Sequence, residues 1–436
     1  MPLTKTLVAV ALGVGLSAAP VRADAVPSEG DRVLQALVDE ALARNPGLVA
    51  SRQLEVAAGT KAVQAASRPG PTVGVSYQND GVSPSLGREP MTMLGVSGGQ
   101  EIPYPGKLGL RRQLAEAEAS LAAFDVERSR LDLVASVKAA YHGLWLARRL
   151  ADLAEQQGAI WQEVQETARV RQAAAVGSQL EMLRAQVETV RLQALHAQHH
   201  AEARARLAEI NALLARAADV PVETTSELAL VADARSADEV TAWAEAHSPE
   251  LKAALRSVER DERAVALARR EFKPDFNVQG GVAYRGSLPP MWQAGASVML
   301  PSRARVRAAL AEAEARLAAS TARRDDVRLR LRAVVEQRLV ALDAIRQIES
   351  TYREGLLPQG DLAVQSATAT YAAGQGSQVA VLEAAAAILD DRTDYLRLLA
   401  TFATERARIE EASLDPPSGM DSLLTHGRSA MPSGGK

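Results

Sequence analysis

The chain contains no cysteine, which removes disulfides, thiolate metal sites, a nucleophilic thiol and a lipid on an N-terminal cysteine. Aromatic residues are only 3% of its 436 residues, so a large compact core is not expected. Beyond the first residues there is no run of about 18 apolar residues, which excludes ordinary transmembrane helices and leaves a β-barrel as the route into a membrane. Charge of one sign is scarce too. The formal charge of −3 becomes about −5 once Lys5 and Arg22 leave with a cleaved leader, and no basic block stands out, so nucleic acid is not an expected partner. No Gly-rich phosphate loop precedes a helix, and neither a zinc-protease HExxH nor a nucleophile elbow occurs. Neither an enzyme nor a cofactor is expected.

What is present begins with a leader. Lys5, an apolar run from Leu7 to Ala19 and small residues up to Ala25 read as a signal peptide over 1–23, with cleavage after Ala23 or Ala25. The run is short for a membrane anchor, the alternative reading. The rest is rich in Ala, Leu, Arg, Glu and Gln, which lose least on entering a helix.

The chain also repeats itself. Gln113-Leu-Ala-Glu-Ala-Glu-Ala-Ser-Leu-Ala-Ala123 returns as Ala309-Leu-Ala-Glu-Ala-Glu-Ala-Arg-Leu-Ala-Ala319. In the same order, Asn45-Pro-Gly-Leu48 matches Ser248-Pro-Glu-Leu251, Pro71 matches Pro274, and Gly177-Ser-Gln179 matches Gly376-Ser-Gln378. Each copy reads as a helix, an extended pair, a very long helix, a break and a long return helix. The first repeat spans 24–217, a linker 218–237 and the second repeat 238–412; a disordered tail is expected over 413–436.

The extended pairs alternate with period two. Strands are expected over 71–80, 91–101, 274–285 and 291–300. Val73, Val75 and Tyr77 share one face, Phe276, Val278, Val282 and Tyr284 another, and Trp292, Ala294, Ala296 and Val298 a third. These lengths suit tilted membrane strands, and Tyr77, Tyr284 and Trp292 fall toward the hairpin ends, where an interfacial girdle would lie. Four strands cannot close a barrel alone; three chains with four each could. Soluble hairpins packed on helices are the competing reading.

Apolar residues at three- and four-residue steps, from Leu110 to Trp145, predict a helix unbroken by proline from Pro105 to Gly177, about 70 residues and about 105 Å long. The second outward limb, about 303–373, carries Pro358 and Gly360, where a kink or local unwinding is expected. His196, His199 and His200 are the nearest approach to a ligand cluster; a solvated helix face is the simpler account.

In this order the repeated Asn45-Pro46 and Ser248-Pro249 starts, the strand pairs, Ile102-Pro-Tyr-Pro-Gly-Lys-Leu108, Tyr371-Ala-Ala-Gly374 and Val381-Leu-Glu-Ala384 resemble the TolC-like outer-membrane efflux family over about 31–411. The resemblance implies a mainly α protein with a small membrane β-barrel. Duplicated helical hairpins of a homotrimer would form a periplasmic α-barrel, and twelve strands a barrel in the outer-membrane lipid of a Gram-negative bacterium. It implies a periplasmic adaptor and an inner-membrane efflux pump as partners, the RND type among the candidates. It maps adaptor contacts onto Val176, Gly177, Ser178, Gln179, Gly376, Ser377 and Gln378, whose alternative role is to make the turns. It also maps a pore constriction onto Glu383 and a gate-closing bond onto Glu181 and Tyr371, for which a solvated Glu and a packed Tyr are the alternative. Ala380 and Gly376 depart from the family's best-known member, which puts a second acidic ring in doubt. The Pro-Tyr-Pro-Gly-Lys-Leu segment resembles the branch serving heavy-metal cation exporters. Passive passage of substrates, heavy-metal cations or small toxic compounds, from periplasm to exterior follows from the resemblance; a soluble periplasmic coiled-coil scaffold without a channel is the other reading.

Overall fold

The computed structural model describes residues 29–412 and 414, except 87–88, 176, 229 and 231–234. The expected leader at 1–23 and nearly all of the expected tail lie outside the described residues.

Helices α1 (Glu29–Arg44) and α2 (Pro46–Ala66) are separated by one residue. Pro46 opens α2 where its missing N–H costs nothing, and the Asn45 side chain accepts from the N–H groups of Gly47 and Leu48. The same Asn45 donates to the carbonyl of Leu213 at 3.0 Å, which sets α2 against the end of α4 (Gln179–Leu213). The second copy repeats the device: Ser248 lies between α5 (Ala237–His247) and α6 (Pro249–Arg270) and accepts from the N–H of Leu251.

Strands β1 (Thr72–Gln78), β2 (Met93–Ile102), β3 (Asp275–Arg285) and β4 (Leu288–Met299) form one antiparallel sheet in chain order. Its register stacks Tyr77, Leu94 and Tyr284 in one row and Val75, Val96, Val282 and Trp292 in the next, so the apolar residues of all four strands share a face. Ser76, Ser97, Gln279, Asn277, Gln293 and Ser297 occupy the other. The apolar face is bare: Val75 is 73% exposed and Trp292 78%. β1 is shorter than expected because the Asn79 side chain donates to the carbonyls of Gly81 and Ser83 and turns the chain away. β4 starts earlier than expected and takes in Pro289 and Pro290, which lie at the register shift opposite Ala283–Arg285 on an edge strand, a place that tolerates residues without an N–H.

The sheet is tied to the helices at the Ile102–Leu108 segment. Gly106 turns with φ of 92° into α3 (Lys107–Ala173). Lys107, 1% exposed, meets Asp275 at 2.9 Å and Glu271 at 3.0 Å. The N–H of Tyr104 donates to Asp275 at 2.7 Å, and Arg270 lies over the Tyr104 ring while bonding the Pro105 carbonyl. The first copy's strand-to-helix turn is thereby held by the second copy's α6 and β3.

α3 runs 67 residues without a break, about 100 Å, and α4 returns beside it. In the second copy α7 (Arg303–Thr351) passes through one π-helical turn (Tyr352–Leu356) into α8 (Leu357–Ala372), and α9 (Gln378–Glu410) returns. The expected interruption is therefore a π-turn ahead of Pro358. The Leu357 N–H reaches the Tyr352 carbonyl, a wider loop that fits a proline with no N–H and a ring crowding the carbonyl four residues back. Buried residues form narrow seams: Val137, Tyr141 and Leu144 with Ile210 in the first copy, and Leu331, Ile345 and Phe402 in the second. No described helix is long and apolar enough to cross a membrane.

Candidate functional site

The two hairpin turns lie at the ends of α3/α4 and α8/α9 and are built alike. After α3, Ala175 takes φ of 57°, and after α8, Gly374 takes φ of 75°, the left-handed residue that commonly ends a helix. The Gly177 N–H donates to the Arg171 carbonyl and the Gly376 N–H to the Thr370 carbonyl, both at 3.0 Å. Ser178 and Ser377 then cap the return helices, accepting from the N–H groups of Glu181 and Ala380 at 3.3 Å. A Cβ on Gly177 would lie 2.9 Å from Arg171 Cβ and 3.0 Å from the Gln172 nitrogen, so this turn admits no side chain there.

Of the expected surface residues, Ser178, Gln179 and Ser377 are exposed and Gly177 and Gly376 half-buried. Gln378 instead turns inward, where its amide donates to the Glu181 carbonyl at 2.6 Å. Val176 lies outside the described residues.

Glu181 and Tyr371, far apart in the chain, meet. The Tyr371 hydroxyl donates to Glu181 Oε2 at 3.1 Å. Tyr371 is 1% exposed and packs with Trp161, Val164, Ala185, Leu192 and Val381. Burial first, then the Glu181 carboxylate, pushes its pKa up to about 12, so it stays a neutral donor at physiological pH. A third residue joins them. Arg171, in the last turn of α3, donates to the Tyr371 carbonyl at 3.0 Å, lies 4.9 Å from the tyrosine ring centre and 4.0 Å from Glu181 Oε2. It thus also caps the carbonyl end of α8, where a cation is favoured. The sequence hint for Arg171 was a basic residue in a helix's last turn, which is too common to single one out. Glu383 stands apart, exposed on the second turn of α9.

The histidine cluster divides. His199, expected on a solvated face, is buried with its Nδ1 3.4 Å from Glu202 Oε2, because it lies on the same stripe as buried Leu192 and Ala203. His196 is half-buried and His200 exposed. Among the described residues no group of three or more His, Cys, Asp or Glu converges to hold a metal.

A family profile described as outer membrane efflux protein matches residues 37–216 and 242–413. No curated protein matches the chain by sequence. Among solved structures, the chain is similar to the outer membrane protein VceC from Vibrio cholerae (18% identity, 87% of this chain and 95% of that chain, TM-score 0.74). It is also similar to the open state of the MtrE outer membrane channel of Neisseria gonorrhoeae (19% identity, 87% and 88%, TM-score 0.69). A third is CusC, solved in a study of folding and transmembrane channel formation (16% identity, 88% and 92%, TM-score 0.72).

Proposed function

The chain belongs to the outer membrane efflux protein family, and we propose that the paired helical tips are the closing element of its channel. Members of this family are not enzymes; they are trimeric outer-membrane channels of tripartite pumps, continued by a periplasmic helical tunnel. The observation that carries the proposal is the Tyr371–Glu181 bond, which joins the tip of one hairpin to that of the other. Tyr371, Glu181 and Arg171 hold the tips together; Glu383 in three copies forms a ring of negative charge at the aperture that favours cations. Gly177, Ser178, Gln179, Gly376 and Ser377 receive the periplasmic adaptor, since turns without bulky side chains leave backbone groups open to a partner helix tip. An inner-membrane pump, of the RND type in this reading, feeds the duct.

The cargo in this reading is small toxic compounds or heavy-metal cations, and the cation option is the one that particular residues speak for. It rests on the Pro103–Leu108 resemblance and the Glu383 ring, although Tyr104, Pro105, Gly106 and Lys107 all serve the strand-to-helix junction as well. In domain terms, the repeats occupy 24–217 and 238–412, and the segment 218–237 is an equatorial linker.

The test is single-channel recording of the detergent-purified trimer in a planar bilayer. Tyr371→Phe removes a hydrogen bond to a carboxylate, about 1.5–3 kcal/mol per chain, and should raise resting conductance tenfold or more. Glu383→Gln should lower the cation preference without changing the number of conducting units. A silent monomer that stays soluble without detergent would overturn the channel reading, and unchanged conductance in Tyr371→Phe would overturn the gate.

A further inference from the structure

We propose that His196 and His200 form a two-histidine site for a borderline divalent cation, copper(II) above nickel(II) and zinc(II), on α4 in the periplasmic tunnel wall. They are four residues apart on one helix, so their rings stand over one another; the ring centres are 6.2 Å apart and the planes 30° from parallel. Metal–nitrogen bonds of about 2.0–2.1 Å put each ring centre about 3.2 Å from a bound ion, so two rings on one ion at cis to tetrahedral angles have centres roughly 4.5–5.2 Å apart. The observed 6.2 Å is wider than this by about 1 Å, a gap that rotation of the two side chains closes with the backbone unchanged. Paired histidines at this spacing on one helix face are a known way to hold zinc.

The surroundings fit this use. Neither ring has a hydrogen-bond partner among the described residues, whereas neighbouring His199 is buried against Glu202. The pair sits at the rim of the seam between α3 and α4, around the helix from the exposed apolar stripe of Leu180, Leu183, Val187 and Val190. On this side of the helix His200 is exposed and His196 half-buried. With no third protein ligand converging, water completes the coordination. The preference follows imidazole's place in the divalent series: copper binds best, and magnesium and calcium, which require oxygen ligands, do not compete.

Equilibrium binding of copper(II) alone to the untagged, detergent-purified protein tests this, read by calorimetry and by electron paramagnetic resonance. The expected result is one ion per chain with micromolar affinity and nitrogen hyperfine structure from two imidazoles at pH 7.5. Binding should weaken at least thirtyfold in His196→Gln and in His200→Gln and stay unchanged in His199→Gln. Equal binding by the wild type and both variants, or no binding below about 1 mM, overturns the site. Trimer formation and bilayer conductance, measured on the same samples, report on the channel separately.

Discussion

His142 on α3 is 6% exposed and its Nδ1 has no hydrogen-bond partner. Burial, then the charges of Lys138 on α3 and Arg406 on α9, pushes its pKa down to about 4. Unfolded, the ring takes a proton near pH 6.5; folded, it refuses one until about pH 4. Stability from this residue is therefore present in full above pH 6.5 and is lost as pH falls toward 4, by about 3 kcal/mol per chain. Removing the titration in His142→Leu should flatten the fall in melting temperature between pH 7.5 and pH 4.5 relative to wild type. Parallel curves for the two proteins would mean that carboxylates, and not His142, account for the acid response. At this scale the sequence was partly legible. Glu181 and Tyr371 were paired through the family resemblance and do meet, but nothing in the local pattern marked Arg171 or said that Gln378 would turn inward, because both depend on how two distant tips pack.

Element boundaries were more legible, since they are set by local chemistry. Asn45-Pro46 and Ser248-Pro249 stop and restart helices, and period-two alternation located all four strands, with errors at their ends: β1 stops early where Asn79 acts on the turn, and β4 starts early through Pro289 and Pro290. The π-turn was not legible as such, although Pro358 marked its neighbourhood. The repeat spacing carries a trace of it: Gln113 to Gly177 is 64 residues, whereas Ala309 to Gly376 is 67. The longer limb must absorb extra chain while keeping α8 against α9, where a Cβ on Gly360 would come within 2.6 Å of Ile388 Cδ1. A π-turn followed by proline has fewer good backbone bonds than the helix around it, so it should open first. Amide exchange over 352–357 is expected to be faster than over 340–350, and Pro358→Ala should narrow the difference by restoring a donor. Equal protection of the two segments in the native protein would show that the second hairpin moves, if at all, about some other point.

Taken as a whole, a single chain leaves its most apolar surfaces uncovered. Val49, Val56 and Val63 lie seven residues apart along α2, Leu180 to Val190 line α4, and Val340, Ile348 and Leu362 line the second limb. β1 and β4 are the edges of the sheet, with backbone groups that only another chain can satisfy. The trimeric channels of this family provide both kinds of cover, with neighbours along the helical stripes and at the strand edges and lipid over the apolar face. This arrangement makes the two faces of one strand unequal. Val75 is central in β1 on the apolar face, and Ser76 beside it points to the polar one. A lysine facing lipid near the bilayer midplane costs about 2–4 kcal/mol, repeated in each chain of the ring, while a lysine in the water-filled lumen costs little. Val75→Lys should therefore sharply reduce the heat-sensitive trimer recovered from outer membranes, and Ser76→Lys should leave it near the wild-type level. If both variants assembled equally well, the sheet would not be facing lipid, and the exposed valines and Trp292 would have to be covered by protein.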